Sequence, residues 1–161
     1  MVRSRAALLW AGLVMLGGSP LEALSCRPVS VAQSYGEVAA ASAPYVIALG
    51  RFSFDEKAFR QVPPHNDTPP GQVITARFSG GLFTGKDFSF ETELDVEIDA
   101  RCFGPWCSWL APELETLAFL EDLGEGGFRL SLSPCGGRAF AEPGPADIEQ
   151  VLACFNGADC R

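Results

Sequence analysis

The clearest pattern in the chain is a strict alternation from residue 88 to residue 99. Phe88, Phe90, Thr92, Leu94, Val96 and Ile98 share one phase, and Ser89, Glu91, Glu93, Asp95, Glu97 and Asp99 share the other. A period of two sends successive side chains to opposite faces, so the segment is expected to be a long strand with one face buried and one wet. A helix is excluded, because it would smear both sets around its cylinder.

Weaker patterns surround this strand. Residues 45–54 (YVIALGRFSF) are β-branched and aromatic-rich and predict a strand, as do residues 73–78, which run into a glycine-marked turn at Gly80 and Gly81. Residues 117–123 and 128–132, separated by Gly124, Glu125, Gly126 and Gly127, predict a β-hairpin. Helical spacing occurs twice. Ser30 and Gln33 fit a capping box, followed by Val31, Tyr35, Val38 and Ser42, with Gly36 leaving room for close packing and Pro44 as the stop. Pro145 opens a second helix through Ile148, Val151, Leu152 and Phe155, with Gly157 as its stop. Residues 61–71 hold four prolines and predict a stiff exposed loop. About five strands with a helix at each end predict a small, mainly β domain, a closed barrel or a sandwich. The strand count and the curvature signals favour a five-stranded OB-like Greek-key barrel.

The first 25 residues have the layout of a secretory signal. Arg3 and Arg5 precede an uncharged apolar run over residues 6–16, then come helix breakers at Gly17, Gly18 and Pro20 and small residues at Ala23 and Ser25. The run is about half the ~20 residues that a bilayer span requires. Cleavage after Ser25 is expected, leaving residues 26–161 as one secreted or periplasmic domain with no transmembrane segment. It removes two positive charges and one negative from a formal net charge of −8. So acidic a chain, with its basic residues scattered singly, is not expected to bind nucleic acid. All six cysteines (Cys26, Cys102, Cys107, Cys135, Cys154 and Cys160) lie beyond the cleavage point. An even count confined to the exported part predicts disulfides. Zinc would want Cys-x-x-Cys pairs or histidine partners, and the sequence has one histidine, His65. Gly104 and Pro105 form a tight centre that could bring Cys102 and Cys107 together, but the cysteine positions alone leave the pairing open.

Catalytic and cofactor chemistry finds little support. A lone histidine in a proline-rich loop, even with Asp67 nearby, does not make a Ser-His-Asp or Cys-His arrangement. Phosphate-loop and redox Cys-x-x-Cys motifs are absent. The acidic row Glu91, Glu93, Asp95, Glu97 and Asp99 offers oxygen ligands, but along a strand they stand about 7 Å apart and do not converge as calcium requires. That row reads as a solvated face to which a basic partner could dock. Asn66, Asp67 and Thr68 form a glycosylation sequon whose use is not expected behind so bacterial-looking a leader.

The order Cys26-Arg27-Pro28-Val29, short helix, Tyr45-Val46-Ile47 strand with Gly50 and Phe52, and late hairpin leading to Cys135 resembles the netrin-like modules, among them the tissue inhibitors of metalloproteinases. The likeness covers most of the exported part in element order, and residues 26–54 and 117–135 in detail. It implies an OB barrel tied by disulfides to its N-terminal segment, with Cys26 paired to Cys135 and local Cys102–Cys107 and Cys154–Cys160 pairs as the remainder. The inhibitors of that family chelate the protease zinc with the amine and carbonyl of an amino-terminal cysteine. Here Cys26 matches their second cysteine, and Leu24 stands where the first would be. Cleavage after Ser25 would nevertheless make Cys26 the amino terminus, with Arg27 entering the protease's specificity pocket.

The expectation is therefore an exported, disulfide-stapled, non-catalytic module that needs no cofactor and acts through a protein partner, with Cys26, Arg27, Pro28 and the acidic row as candidate contacts. One alternative is a metalloprotease inhibitor acting through the Cys26 amine. Another is an envelope lipoprotein or structural protein, since Ser25-Cys26 partly fits a lipoprotein signal, although Ala23 stands where leucine is usual.

Overall fold

A computed structural model describes residues 25–59, 71–103 and 106–160. The leader up to Leu24, most of the proline-rich loop with His65 and the sequon, and the Gly104-Pro105 centre lie outside the described residues.

Among the described residues the fold is mainly β with two α-helices: α1 (Val31–Ala39), β1 (Tyr45–Ser53), β2 (Gly71–Leu82), β3 (Phe90–Phe103), β4 (Trp106–Cys107), β5 (Glu115–Gly124), β6 (Gly127–Leu132), β7 (Ala139–Ala141) and α2 (Pro145–Phe155). There are thus seven strands among the described residues where five were expected. The additional two, β4 and β7, have two and three residues, too few to carry a period. The other five close into a ring in the order β1-β2-β3-β6-β5, with β5 pairing back onto β1 over Tyr45–Arg51 and Glu115–Glu121. Every ring pair is antiparallel except β3 with β6, which run parallel, so the sheet is mixed. Among the described residues no helix is long and apolar enough to cross a membrane.

Two hydrophobic clusters sit on either side of the ring wall. Inside are Ala48, Phe52, Ile74, Phe78, Val96, Ile98, Leu120 and Leu130. Outside, Ile47, Leu117 and Phe119 are covered by Val31 and Val38 of α1 and Val151 of α2. The alternating strand is as expected in kind: Val96, Ile98 and Ala100 are buried, while Glu93, Asp95 and Glu97 face water. Its limits differ. It begins at Phe90, because Phe88 turns away to pack on Phe83 with ring centroids 5.3 Å apart, and it continues four residues past Asp99.

Gly80 and Gly81 are not a turn. β2 runs straight through them, paired to β1 on one side and β3 on the other. A Cβ at Gly80 would lie 2.6 Å from the Gly50 Cα, and one at Gly81 would strike the Phe88 carbonyl, so these glycines permit backbones to approach. The chain turns later, at residues 83–89, where the Thr84 N–H donates to the Asp87 carbonyl (2.8 Å). The β5–β6 hairpin turns on Glu125 and Gly126, both at positive φ (52° and 80°), the signature of a two-residue type I′ turn.

Both helices start where their caps lie. The Ser30 hydroxyl accepts from the Gln33 N–H (3.1 Å), but the Gln33 side chain donates to Glu37 and does not close the box. α1 ends at Ala39, four residues short of the expected span before Pro44, as the Ala40 and Ala41 amides bond back to Gly36 and Val38. Before Pro145, the Asp147 carboxylate accepts from the Gly144 N–H (2.9 Å).

Candidate functional site

Strand register sorts the candidate residues onto two ends and one face. At one end of the ring lie the last residues of β1, β3 and β6 and the first of β2 and β5. Two disulfides gather there. Cys26–Cys135 ties the segment before α1 to the loop after β6, spanning 109 residues of sequence, and Cys102–Cys107 joins positions in register across the β3–β4 hairpin. The third, Cys154–Cys160, fastens the last turn of α2 to the chain beyond it. These are the pairs that the netrin-like resemblance implies, and no cysteine is free.

The chain around this cystine end is held from within and apolar without. Ser108 is buried; its N–H donates to the Arg101 carbonyl (2.9 Å), and its hydroxyl lies 3.0 Å from that carbonyl and 3.2 Å from the Leu132 carbonyl. Leu110 plugs the inner cluster. Trp109, between these two anchors, is left 62% exposed, and the cross-strand neighbours Phe103 and Trp106 are 54% and 42% exposed. Cys26, Arg27 and Pro28 are exposed as well. Phe103, Trp106 and Trp109 are thus three large apolar side chains left in water within one short cross-linked stretch, an exposure of the kind that marks an interaction site. Sequence reasoning considered the Cys102–Cys107 loop only for the pairing of its cysteines and missed these exposed aromatic side chains. The tryptophans were visible, but their outward direction depends on Ser108 and Leu110 pointing in.

The acidic row stands on the outer face of β3, yet it is not bare. Arg77 of β2 donates to Glu93 (2.9 Å) and Asp95 (2.8 Å), Arg129 of β6 to Glu97 (3.1 Å), and Arg101 to Asp99 (3.2 Å). Hydrogen bonds to Glu93 and then to Asp95 raise the Arg77 pKa still further. The face is a ladder of ion pairs across three strands, in which Glu93, Asp95, Glu97 and Asp99 already have cationic partners. Among the described residues no group of three or more His, Cys, Asp or Glu side chains could hold a metal ion. Arg77 and Arg129 were out of reach of sequence reasoning, because their places beside the row are set by pairing between distant strands.

At the opposite end of the ring an aromatic groove of about 430 Å³ opens between α1, the start of β1, the end of β2, the start of β3 and the end of α2. Tyr35, Tyr45, Phe83, Phe90 and Phe155 line it, with Thr84 at its lip. Phe83 and Phe155 meet edge to face at 5.3 Å, and Phe90 and Phe155 remain 60% and 52% exposed. No sequence motif announced it, since its walls come from five separate elements.

No protein-family model, curated protein or solved structure matches the chain.

Proposed function

We propose that this protein is an exported, disulfide-stapled binding module of the netrin-like, OB-barrel kind, which engages a protein partner through the cystine end of its strand ring and performs no chemistry of its own. The observation that carries the reading is the exposed set Phe103, Trp106 and Trp109 on a scaffold fixed by two disulfides. Aromatic side chains pre-positioned in water lose little conformational freedom on docking and bury much apolar area, which makes them effective anchors. The ring of five strands, with its N-terminal segment bound to the loop after the late hairpin, supports the netrin-like assignment. Acylation of Cys26 would leave Cys135 without its partner, which counts against a lipoprotein.

The test is affinity capture from the exported fraction of the source cell with the oxidised protein, beside a Trp106→Ala/Trp109→Ala variant. Both side chains are solvent-facing, so the variant should keep its melting temperature and lose the partner. A partner held equally by both proteins would reject the cystine end as the docking surface.

Inhibition of a zinc protease is the second reading. Its support is that the exposed segment around Cys26 is fastened by a disulfide to the loop after β6, at this same end of the ring. Inhibition should then disappear when one alanine is added before Cys26, which would displace the chelating amine; inhibition that survives the addition would refute the amine mechanism.

A further inference from the structure

One flank of β3 is open along part of its length. β2 runs beside the strand in unbroken register, from Leu82 opposite Phe90 to Gly71 opposite Arg101. On the other flank β6 begins opposite Val96, and β4 lies opposite Cys102 and Phe103. Among the described residues no strand pairs with residues 90–95 on that side. The direction of their backbone groups follows from the far end of the same strand. The Arg101 carbonyl points away from β2, since it accepts from the N–H of Ser108, just after β4 (2.9 Å). Backbone groups alternate in direction along a strand, so those of Glu91, Glu93 and Asp95 point the same way. The Glu91 N–H is taken up locally by the Ser89 carbonyl (3.1 Å). The Glu91 carbonyl, the Glu93 N–H and carbonyl and the Asp95 N–H face outward, as a template for one more strand.

Side chains mark the same stretch. Val96, Ile98 and Ala100 share one phase and are buried where β6 lies alongside, whereas Thr92 and Leu94 in that phase are only half-buried and Phe90 is 60% exposed. Leu94 and, at the start of β6, Phe128 rest half-covered on the inner cluster. In the other phase stand carboxylates, and charge on an open edge ordinarily guards against pairing with a second copy. It does so here, because two such edges laid together would bring Glu91, Glu93 and Asp95 of one beside the same carboxylates of the other. It does not bar a strand of opposite charge. Arg77 holds Glu93 and Asp95, but Glu91 faces Gly81 across the ladder and forms no ion pair among the described residues. Glu125 lines a cavity of about 370 Å³ with Asp95 and Glu97 at the β6 end of the edge, and it too forms none among the described residues.

We infer that the open edge of β3 over residues 90–95 is a second binding site, which takes an extended segment of a partner protein as an added strand. Hydrogen bonds to the outward backbone groups of Glu91, Glu93 and Asp95 carry the affinity. Alternate side chains of the segment supply the selection: apolar ones cover Leu94 and Phe128, and basic ones stand beside Glu91 and Glu125. The segment recognised has the alternating pattern of β3 itself with the charge reversed.

The experiment uses the exported protein with its three disulfides intact and a capped Val-Lys-Val-Lys-Val-Lys peptide as probe. Titration followed by backbone amide NMR should give saturable shifts at Glu91, Glu93 and Asp95, and amide exchange at Glu93 and Asp95 should slow about tenfold in the complex. Two further peptides carry N-methyl groups on all lysines or on all valines, which blocks one backbone edge or the other. One of them should bind about tenfold more weakly than the other. Loss on the methylated lysines marks an antiparallel strand, and loss on the methylated valines a parallel one. Glu93→Pro removes an N–H that β2 does not use, so the variant should fold and lose the peptide. Glu93→Gln keeps the backbone and should bind within about twofold. Equal binding of the two methylated peptides, equal binding of a Val-Glu counterpart, or normal binding by folded Glu93→Pro would each overturn the inference. A dimer of the protein alone that Glu93→Pro dissolves would assign the edge to a second copy and overturn it too. Trp106 and Trp109 lie beyond the far end of the open stretch, so the Trp106→Ala/Trp109→Ala variant should bind the peptide normally. This separates failure of the present site from failure of the cystine-end reading.

Discussion

β3 and β5 are both long strands of the same ring, yet they are stabilised in different ways. β3 buries one face, and its other face is a ladder of carboxylates met by Arg77, Arg101 and Arg129. β5 buries both faces: Thr116, Leu117, Ala118, Phe119 and Leu120 are all completely inaccessible to solvent. Ala118 and Leu120 look into the ring, whereas Leu117 and Phe119 look outward into the layer made by α1 and α2. One strand thus belongs to a two-layer arrangement and the other to a single wall. Burial, not pairing, decides where the stability resides, because exposed ion pairs exchange one well-solvated state for another of similar free energy.

This contrast can be attacked from its strong side first. Phe119→Ala should destabilise the protein by about 3–5 kcal/mol, as expected for removing a buried aromatic ring. It would also remove the edge contact with Phe140. Urea unfolding should show the loss, and a cost below about 1 kcal/mol would mean that the outer layer is dispensable. Replacing Cys26 and Cys135 together by serine comes next, at about 2–5 kcal/mol, because the bond closes a loop of 109 residues. The Cys102→Ser/Cys107→Ser pair spans five residues and should cost less. Equal losses for the two pairs would show that chain entropy is not what these bonds control. On β3, Glu97→Gln breaks the bond to Arg129 and should change stability by no more than about 1 kcal/mol.

The smallest effect concerns Asp87. Hydrogen bonds from Ser89, and secondarily from Thr84, hold its carboxyl below the usual carboxylate range. Its contribution to the 83–89 loop is therefore complete above the unfolded-state pKa and fades as the pH falls through the lower folded value. Amide exchange at Ser89 should accelerate over that acidic window in the native protein, and Asp87→Asn should remove the pH dependence.

The same contrast explains what could be read before folding. Alternation in β3 was legible because each of its positions meets one of two environments. The run Leu117-Ala118-Phe119-Leu120 identified a strand, but not that two layers would enclose it, because α1 and α2 arrive from opposite ends of the sequence. Gly80 and Gly81 looked like punctuation since glycine serves turns and close approaches alike, and only the passage of β1 at Gly50 distinguishes them. Ring closure by β1 on β5, the parallel β3–β6 pair, the arginines beside the acidic row and the aromatic groove all depend on contacts between segments far apart in sequence. No local period encodes such contacts.

The Cys26–Cys135 bond encloses the Cys102–Cys107 bond in sequence, and this nesting bears on how the protein must be made. Cys26 emerges during synthesis long before its partner, and the next thiol to appear is Cys102, whose proper mate follows five residues later. An oxidant that joined cysteines in order of appearance would link Cys26 to Cys102 and leave Cys107 to Cys135, two wrong bonds in place of the native pair. The native connectivity therefore calls for the ring to assemble before the long bond forms, or for an isomerase to exchange the premature one.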